Sequence, residues 1–235
     1  MQEYLKEFHE RVRKQYAGSL ISVGAVKKVH PYAKQYLVKL AREGLVEKVD
    51  WGWYFVPDKV EDIWDFLRSD KNFKVVAGQT AASFYNQDFI HREIVVLKVS
   101  DRSYARALGE YAKRKGWQVE LEYFEGRIRT RRIDGLLVEE LEDTVMDCLQ
   151  RWAFADAFSA VYSNRRRVDL KRLERSTQWK RIPGTGVRMR QILNYGLSRV
   201  NELSGKKFSE RQIRLRDEYV RNEVDDAVEK VIEVV

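Results

Sequence analysis

Residues 36–57 read YLVKLAREGLVEKVDWGWYFVP, and no other run of this chain restricts its fold so tightly. Within it the apolar spacing changes from helical to alternating. A helix from about Pro31 to Glu43 places Ala33, Leu37, Leu40 and Ala41 on one face and Tyr32, Gln35, Lys39 and Arg42 on the other. Pro31 suits the first helical position, and Gly44 stands where a C-terminal cap belongs. Leu45–Val49 and Trp53–Pro57 then read as two short strands joined by Asp50-Trp51-Gly52, a β-hairpin. Upstream, Tyr4, Leu5, Phe8, Val12 and Tyr16 give residues 3–16 one apolar helical face, which Gly18 and Ser19 end. Leu20–Ser22 is extended, Val23–Val29 reads as a second short helix, and His30-Pro31 breaks the chain before the third.

Three helices followed by a hairpin resemble the winged-helix DNA-binding module. Such a module lays its third helix in the major groove while the hairpin, its wing, rides the backbone or minor groove. Through Pro57 the chain carries ten basic and six acidic residues, and the whole chain has a formal charge of +8. A basic balance is what counterion release from phosphates requires, although a charge-rich surface has the same composition. Position on the helix assigns roles. Gln35 suits a bidentate contact to adenine, Lys34 and Lys39 suit phosphates or guanine edges, and Tyr32 and Arg42 share the exposed side. Lys48 and Trp51 belong to the wing. Local packing is the other reading of Tyr32 and Trp51, and protein docking the other use of such a module.

The rest of the chain mixes helices and strands. Helices are expected over Asp58–Ser69, Gln79–Tyr85, Tyr104–Lys115 and Leu141–Ala160. Strands are expected over Phe73–Ala77, Ile94–Val99, Trp117–Phe124, Arg127–Arg131 and Leu136–Val138. The expected class is therefore α+β: a winged-helix domain over 1–57, a mixed α/β domain over 58–163, and a basic helical region over 164–235. Residues 164–190 hold ten basic and two acidic side chains, a surplus as large as that of the whole protein. Arg165, Arg166, Arg167, Lys171, Arg172, Arg175, Lys180 and Arg181, interleaved with Trp179, suit a second phosphate contact or a solvated helical face. Ser209–Gln212 has a capping-box pattern. After it, Val220, Val224, Ala227, Val228, Val231 and Ile232 form a stripe that suits a homodimer seam or packing on its own domain.

No catalytic constellation, metal set or cofactor fingerprint is visible. The single cysteine, Cys148, excludes an internal disulfide, and His9, His30 and His91 have no ligand partner at helical spacing. Val76–Ala81 is a strand-to-helix turn faintly like the Gly-rich turn of nucleotidyltransferases. Those enzymes need paired carboxylates on the next strand to hold magnesium, and Ile94–Val99 has none. Asp101 falls too late to supply one. A nucleotidyltransferase-like centre here would thus be degenerate, and the chain reads as a binding protein rather than an enzyme. A charged N-terminus and the lack of a run of about 18 apolar residues point to a cytoplasmic protein with no membrane partner.

In the order of its parts the chain resembles the AbiEi family of abortive-infection antitoxins and their archaeal relatives. The resemblance rests on the helix-and-hairpin segment through Pro57, on VVAGQTAASFY at 75–85 and on TVMDCLQRWAFADAF at 144–158. It implies a transcriptional repressor that binds double-stranded DNA repeats at its own promoter. It also implies functional pairing with a nucleotidyltransferase-like toxin without stable binding. The basic stretch at 164–190 and the long C-terminal helix depart from the bacterial pattern. Two other readings stand beside this one: a nucleic-acid-processing enzyme delivered by a winged helix, and a protein-docking module.

Overall fold

The structure, a computed structural model, describes residues 3–86, 93–175, 185–204, 215 and 217–234. Trp179, Lys180, Arg181, His91 and the capping-box residues Ser209–Gln212 lie outside them. The chain is α+β, with a three-stranded and a five-stranded sheet.

It divides into two compact units, neither of them one continuous stretch. The first comprises Met1–Lys74, Leu97–Glu125 and Asp134–Leu136 and so contains all of residues 1–57. It begins with α1 (Glu3–Tyr16), β1 (Leu20–Ser22) and α2 (Val23–Val26), followed by α3 (Ala33–Arg42), β2 (Glu47–Asp50) and β3 (Trp53–Phe55). The second helix stops three residues short of its expected end because the chain turns at Lys27–Val29. There the amides of Lys28 and Val29 bond back to Ala25 and Val26. The third helix starts at Ala33 rather than Pro31, with Tyr32 as its N-cap residue. Gly44 ends it in the left-handed region (φ 72°), and the Leu45 amide reaches back to the Leu40 carbonyl at 2.9 Å. A side chain at position 44 would be strained there.

The sheet runs β1-β3-β2, antiparallel throughout. All three residues of β3 are buried because the strand is central and both its faces are covered. Tyr54 joins Leu5, Phe8, Val12, Ile21, Leu37 and Leu40 in one core. Its neighbours Trp53 and Phe55 turn the other way, toward α6 (Arg102–Lys115). Trp53 meets Tyr104 at 5.7 Å between ring centroids, and Phe55 stacks on Tyr111 at 4.5 Å. Phe66 of α4 (Ile63–Ser69) completes that second cluster against Tyr111. The expected helix at Asp58 begins only at Ile63, because Asp62 accepts the Asp65 amide at 2.8 Å as an N-cap.

Asp70 ties this unit together. Its carboxylate accepts from the Leu20 amide (2.9 Å), the Asn72 amide group (2.8 Å), the Tyr104 hydroxyl (2.6 Å) and the Lys74 ammonium (3.0 Å). Burial lowers the Lys74 pKa, and the Asp70 charge acts against that shift.

The larger sheet has the order β6-β5-β4-β8-β7, from β4 (Lys74–Val76), β5 (Ile94–Val99), β6 (Gln118–Tyr123), β7 (Thr130–Ile133) and β8 (Leu136–Glu139). The strand expected at Arg127–Arg131 forms three residues later, as β7. Strands β4 and β8 are parallel, with Val76 opposite Val138.

The second unit comprises Val75–Val96, Gly126–Ile133 and Leu137–Val235. Its helices are α5 (Gly78–Tyr85), α7 (Leu141–Gln150), α8 (Phe154–Ser163), α9 (Leu170–Arg175), α10 (Thr185–Ser204) and α11 (Glu218–Val234). The single helix expected over Leu141–Ala160 is two. Trp152 takes a left-handed conformation (φ 61°), and the Ala153 amide bonds back to Cys148 at 2.9 Å, ending α7 without a glycine or proline to signal it. Helix α10 falls within the region expected to be helical over 164–235, where the sequence reading sets no bounds for it. The C-terminal stripe turns inward: Val220, Val224, Val228 and Val231 are buried where α11 packs on α8 and α10. Among the described residues no helix is long and apolar enough to cross a membrane.

Candidate nucleic-acid interface

Helix α3 buries Ala33, Leu37 and Leu40, and that burial decides what it presents outward. At 100° per residue, Gln35 and Arg42 fall side by side at the centre of the exposed arc, with Lys34 on one flank and Lys39 and Tyr32 on the other. All five are exposed, Tyr32 at 57% of its full surface. The sequence-derived face is thus brought together on one helix. Lys39 donates to the Tyr4 hydroxyl at 3.1 Å and lies over the Tyr4 ring, so its ammonium is held at the edge of the arc. His30 stacks on Tyr36 at 4.8 Å, and its Nδ1 accepts the Tyr32 amide at 3.2 Å. This fixes the entry to α3.

The β2–β3 hairpin presents Lys48 and Trp51. Trp51 sits at the turn with 82% of its surface exposed, the largest exposure among the large apolar side chains described. It does not pack locally, one of the two readings its sequence position allows. The same hairpin carries Glu47 and Asp50, and two arginines of α6 reach them. Arg106 Nε lies 2.5 Å from Asp50 Oδ2. Arg114 Nη1 lies 3.3 Å from Glu47 Oε1 and donates to the Lys48 carbonyl at 2.8 Å, while its Nη2 donates to the Val49 carbonyl at 2.6 Å. The hydrogen bond from Arg106 holds the Asp50 carboxyl below its ordinary pKa. Sequence reasoning does not find Arg106 and Arg114. They stand two turns apart on a helix more than fifty positions from the hairpin, and nothing local to either segment announces the pairing.

Of the basic stretch, Arg165, Arg166, Arg167 and Lys171 are exposed in the second unit. Arg172 is different. It is half-buried and its guanidinium pairs with Glu140 and, at 3.5 Å, with Glu142, because α9 packs on α7. Burial, followed by the neighbouring Arg129 charge, lowers its pKa. Arg172 therefore serves the interior of this unit before it serves any phosphate.

The Val76–Ala81 turn opens α5 at Gly78, whose amide points to the Glu139 carboxylate at 3.4 Å. Asp147 Oδ2 lies 3.1 Å from where a Cβ at position 78 would stand. Arg151 Nε stands beside it, 3.2 Å from the same point and 3.3 Å from Asp147 Oδ2, so the helix start is faced by an acid–arginine pair and by Glu139. Asp101, too late in sequence to pair on β5, instead caps α6. Among the described residues no group of three or more His, Cys, Asp or Glu side chains is placed to hold a metal ion. Cys148 is fully buried, and burial raises its thiol pKa well above the ordinary value.

No protein-family model and no curated protein matches this chain.

Proposed function

We propose that the chain is a DNA-binding transcriptional repressor, antitoxin-like and regulating its own operon, in which residues 1–57 act as a winged helix. The observation that carries this reading is the outer arc of α3. Gln35 and Arg42 stand at its centre between Lys34 and Lys39, on a helix whose opposite face is locked into the core and whose neighbouring hairpin is exposed at Trp51. A rigid helix showing a bidentate amide and cations is the chemistry that reads base edges and grips phosphates. The element order helix, strand, two helices and hairpin, with a β1-β3-β2 sheet, supports the same reading. Action by binding rather than catalysis is supported by the Gly78 amide, which the Glu139 carboxylate already faces at 3.4 Å where a phosphate would need a free donor. The functional partner under this reading is a nucleotidyltransferase-like toxin that is opposed without a stable complex.

The test is titration on duplex DNA from immediately upstream of the gene and on a scrambled duplex of the same composition. Gln35→Ala is expected to cost about 1–3 kcal/mol on the upstream DNA and little on the scrambled one, whereas Lys39→Ala weakens both. Equal losses on the two DNAs for Gln35→Ala would remove the base-reading role. Wild-type protein that ignores both duplexes at low salt would overturn the DNA-binding reading and leave protein docking.

A further inference from the structure

We propose that α6 is a working part of the DNA-binding surface: Arg106 and Arg114 brace the β2–β3 hairpin and cancel its two acids so that it can lie against phosphates. This rests on the DNA-binding reading above and adds to it residues far outside the helix-and-hairpin segment.

Taken alone, the hairpin is a poor phosphate neighbour. From Glu47 to Trp53 it carries Glu47 and Asp50 against Lys48, a net negative charge. Arg106 and Arg114 each meet one of those acids directly, which turns the local balance positive. These pairs lie at the solvent boundary and not in a core. Arg106 keeps 60% and Arg114 44% of its side-chain surface exposed, so their charge is felt by a partner outside.

The backbone geometry adds a second reason. The pairing of β2 with β3 shifts between Lys48 and Asp50, which makes Val49 the extra residue of a bulge. A bulge leaves ladder groups without their strand partner. Arg114 supplies donors to the carbonyls of both Lys48 and Val49. One guanidinium therefore fixes the irregular backbone that leads into Trp51. The hairpin tip is held in place before any partner arrives, which lowers the ordering cost of binding.

The closing experiment uses the full chain and a labelled mixed-sequence duplex, with affinity measured from about 50 to 200 mM salt, where the phosphate contribution changes most. Arg106→Gln leaves Asp50 facing phosphates unmasked and is expected to weaken binding roughly 3- to 10-fold at the low-salt end, the difference narrowing as salt rises. Asp50→Asn added to Arg106→Gln is expected to restore affinity to within about twofold, because the repelling charge is gone. A fold defect would not be repaired in that way, and circular dichroism reports on the fold. Arg114→Gln with Glu47→Gln is a second, independent pair that carries the comparison should Arg106→Gln fail to fold; there the rescue is expected to be partial, because the Lys48 and Val49 carbonyls stay without their donor. A folded Arg106→Gln that binds like wild type across the series overturns the proposal. So does a loss that Asp50→Asn leaves unrepaired. Wild-type protein without affinity for the duplex overturns the DNA-binding reading itself, a result distinct from either.

Discussion

The carboxylate of Asp101 accepts the amides of Ser103 and Tyr104 at 2.7 and 3.1 Å and the Ser103 hydroxyl at 2.8 Å. Burial raises its pKa, but the hydroxyl and the two amides outweigh burial and hold it below the ordinary carboxylate value. A carboxyl whose folded pKa is lowered contributes fully above its unfolded pKa and loses that contribution as pH falls through the folded one. Asp101→Ala is thus expected to cost about 1 kcal/mol of stability at neutral pH. Urea titrations should show wild type and variant converging as pH drops below the carboxylate range. A gap that persists unchanged in acid would show that the cap contributes through something other than its charge. This residue was readable in principle: an Asp two positions before Ser103 at a helix start is a local signal. The outward set of α3 was readable for the same reason, since helical period alone separates Gln35 from Leu37. Arg106 and Arg114 were not, because their role is set by the fold that brings α6 to the hairpin, and no local spacing encodes that approach.

Secondary-structure elements were legible where period and punctuation agree, as in β5, where the expected and observed bounds coincide at Ile94–Val99. They were not where the stop is conformational. Trp152 breaks α7 from α8 by adopting a backbone state that nothing in its side chain advertises. Helix α10 has Met189, Ile192, Leu193, Leu197 and Val200 at helical spacing, all buried, yet the charge of residues 164–190 overlaps its first turns and masks the pattern. Its packing also depends on Gly196. A Cβ built there falls on the ring of Phe158, so α8 and α10 approach as closely as they do only because that position has no side chain. Gly196→Ala is expected to cost about 1–3 kcal/mol through overpacking, against the small gain that alanine usually brings to a helix interior. Phe158→Leu in the same chain should return part of that loss. Thermal unfolding of the single and double variants measures both, and a single variant as stable as wild type would mean that the helices separate freely.

At the scale of the molecule the proposed DNA binding can be apportioned between the two units. If Arg165, Arg166 and Arg167 each contact a phosphate, replacing all three by Gln should flatten the slope of log affinity against log salt by about 2–3 units without changing sequence preference. The fold should tolerate this, since all three are exposed and exposed charges contribute little to stability. A slope unchanged in the folded triple variant would assign these arginines to solvent and leave binding to the first unit. That unit also bears on how the protein can be divided. Trp53 and Phe55 rest on Tyr104 and Tyr111, and the hairpin acids on Arg106 and Arg114, all supplied from residues 97–125. A fragment cut after Pro57 would keep α3 intact but bare the aromatic side of β3 and restore the hairpin's negative charge. Such a piece is poorly portable: grafted onto another protein it would carry a sticky face and a negatively charged hairpin unless α6 travelled with it.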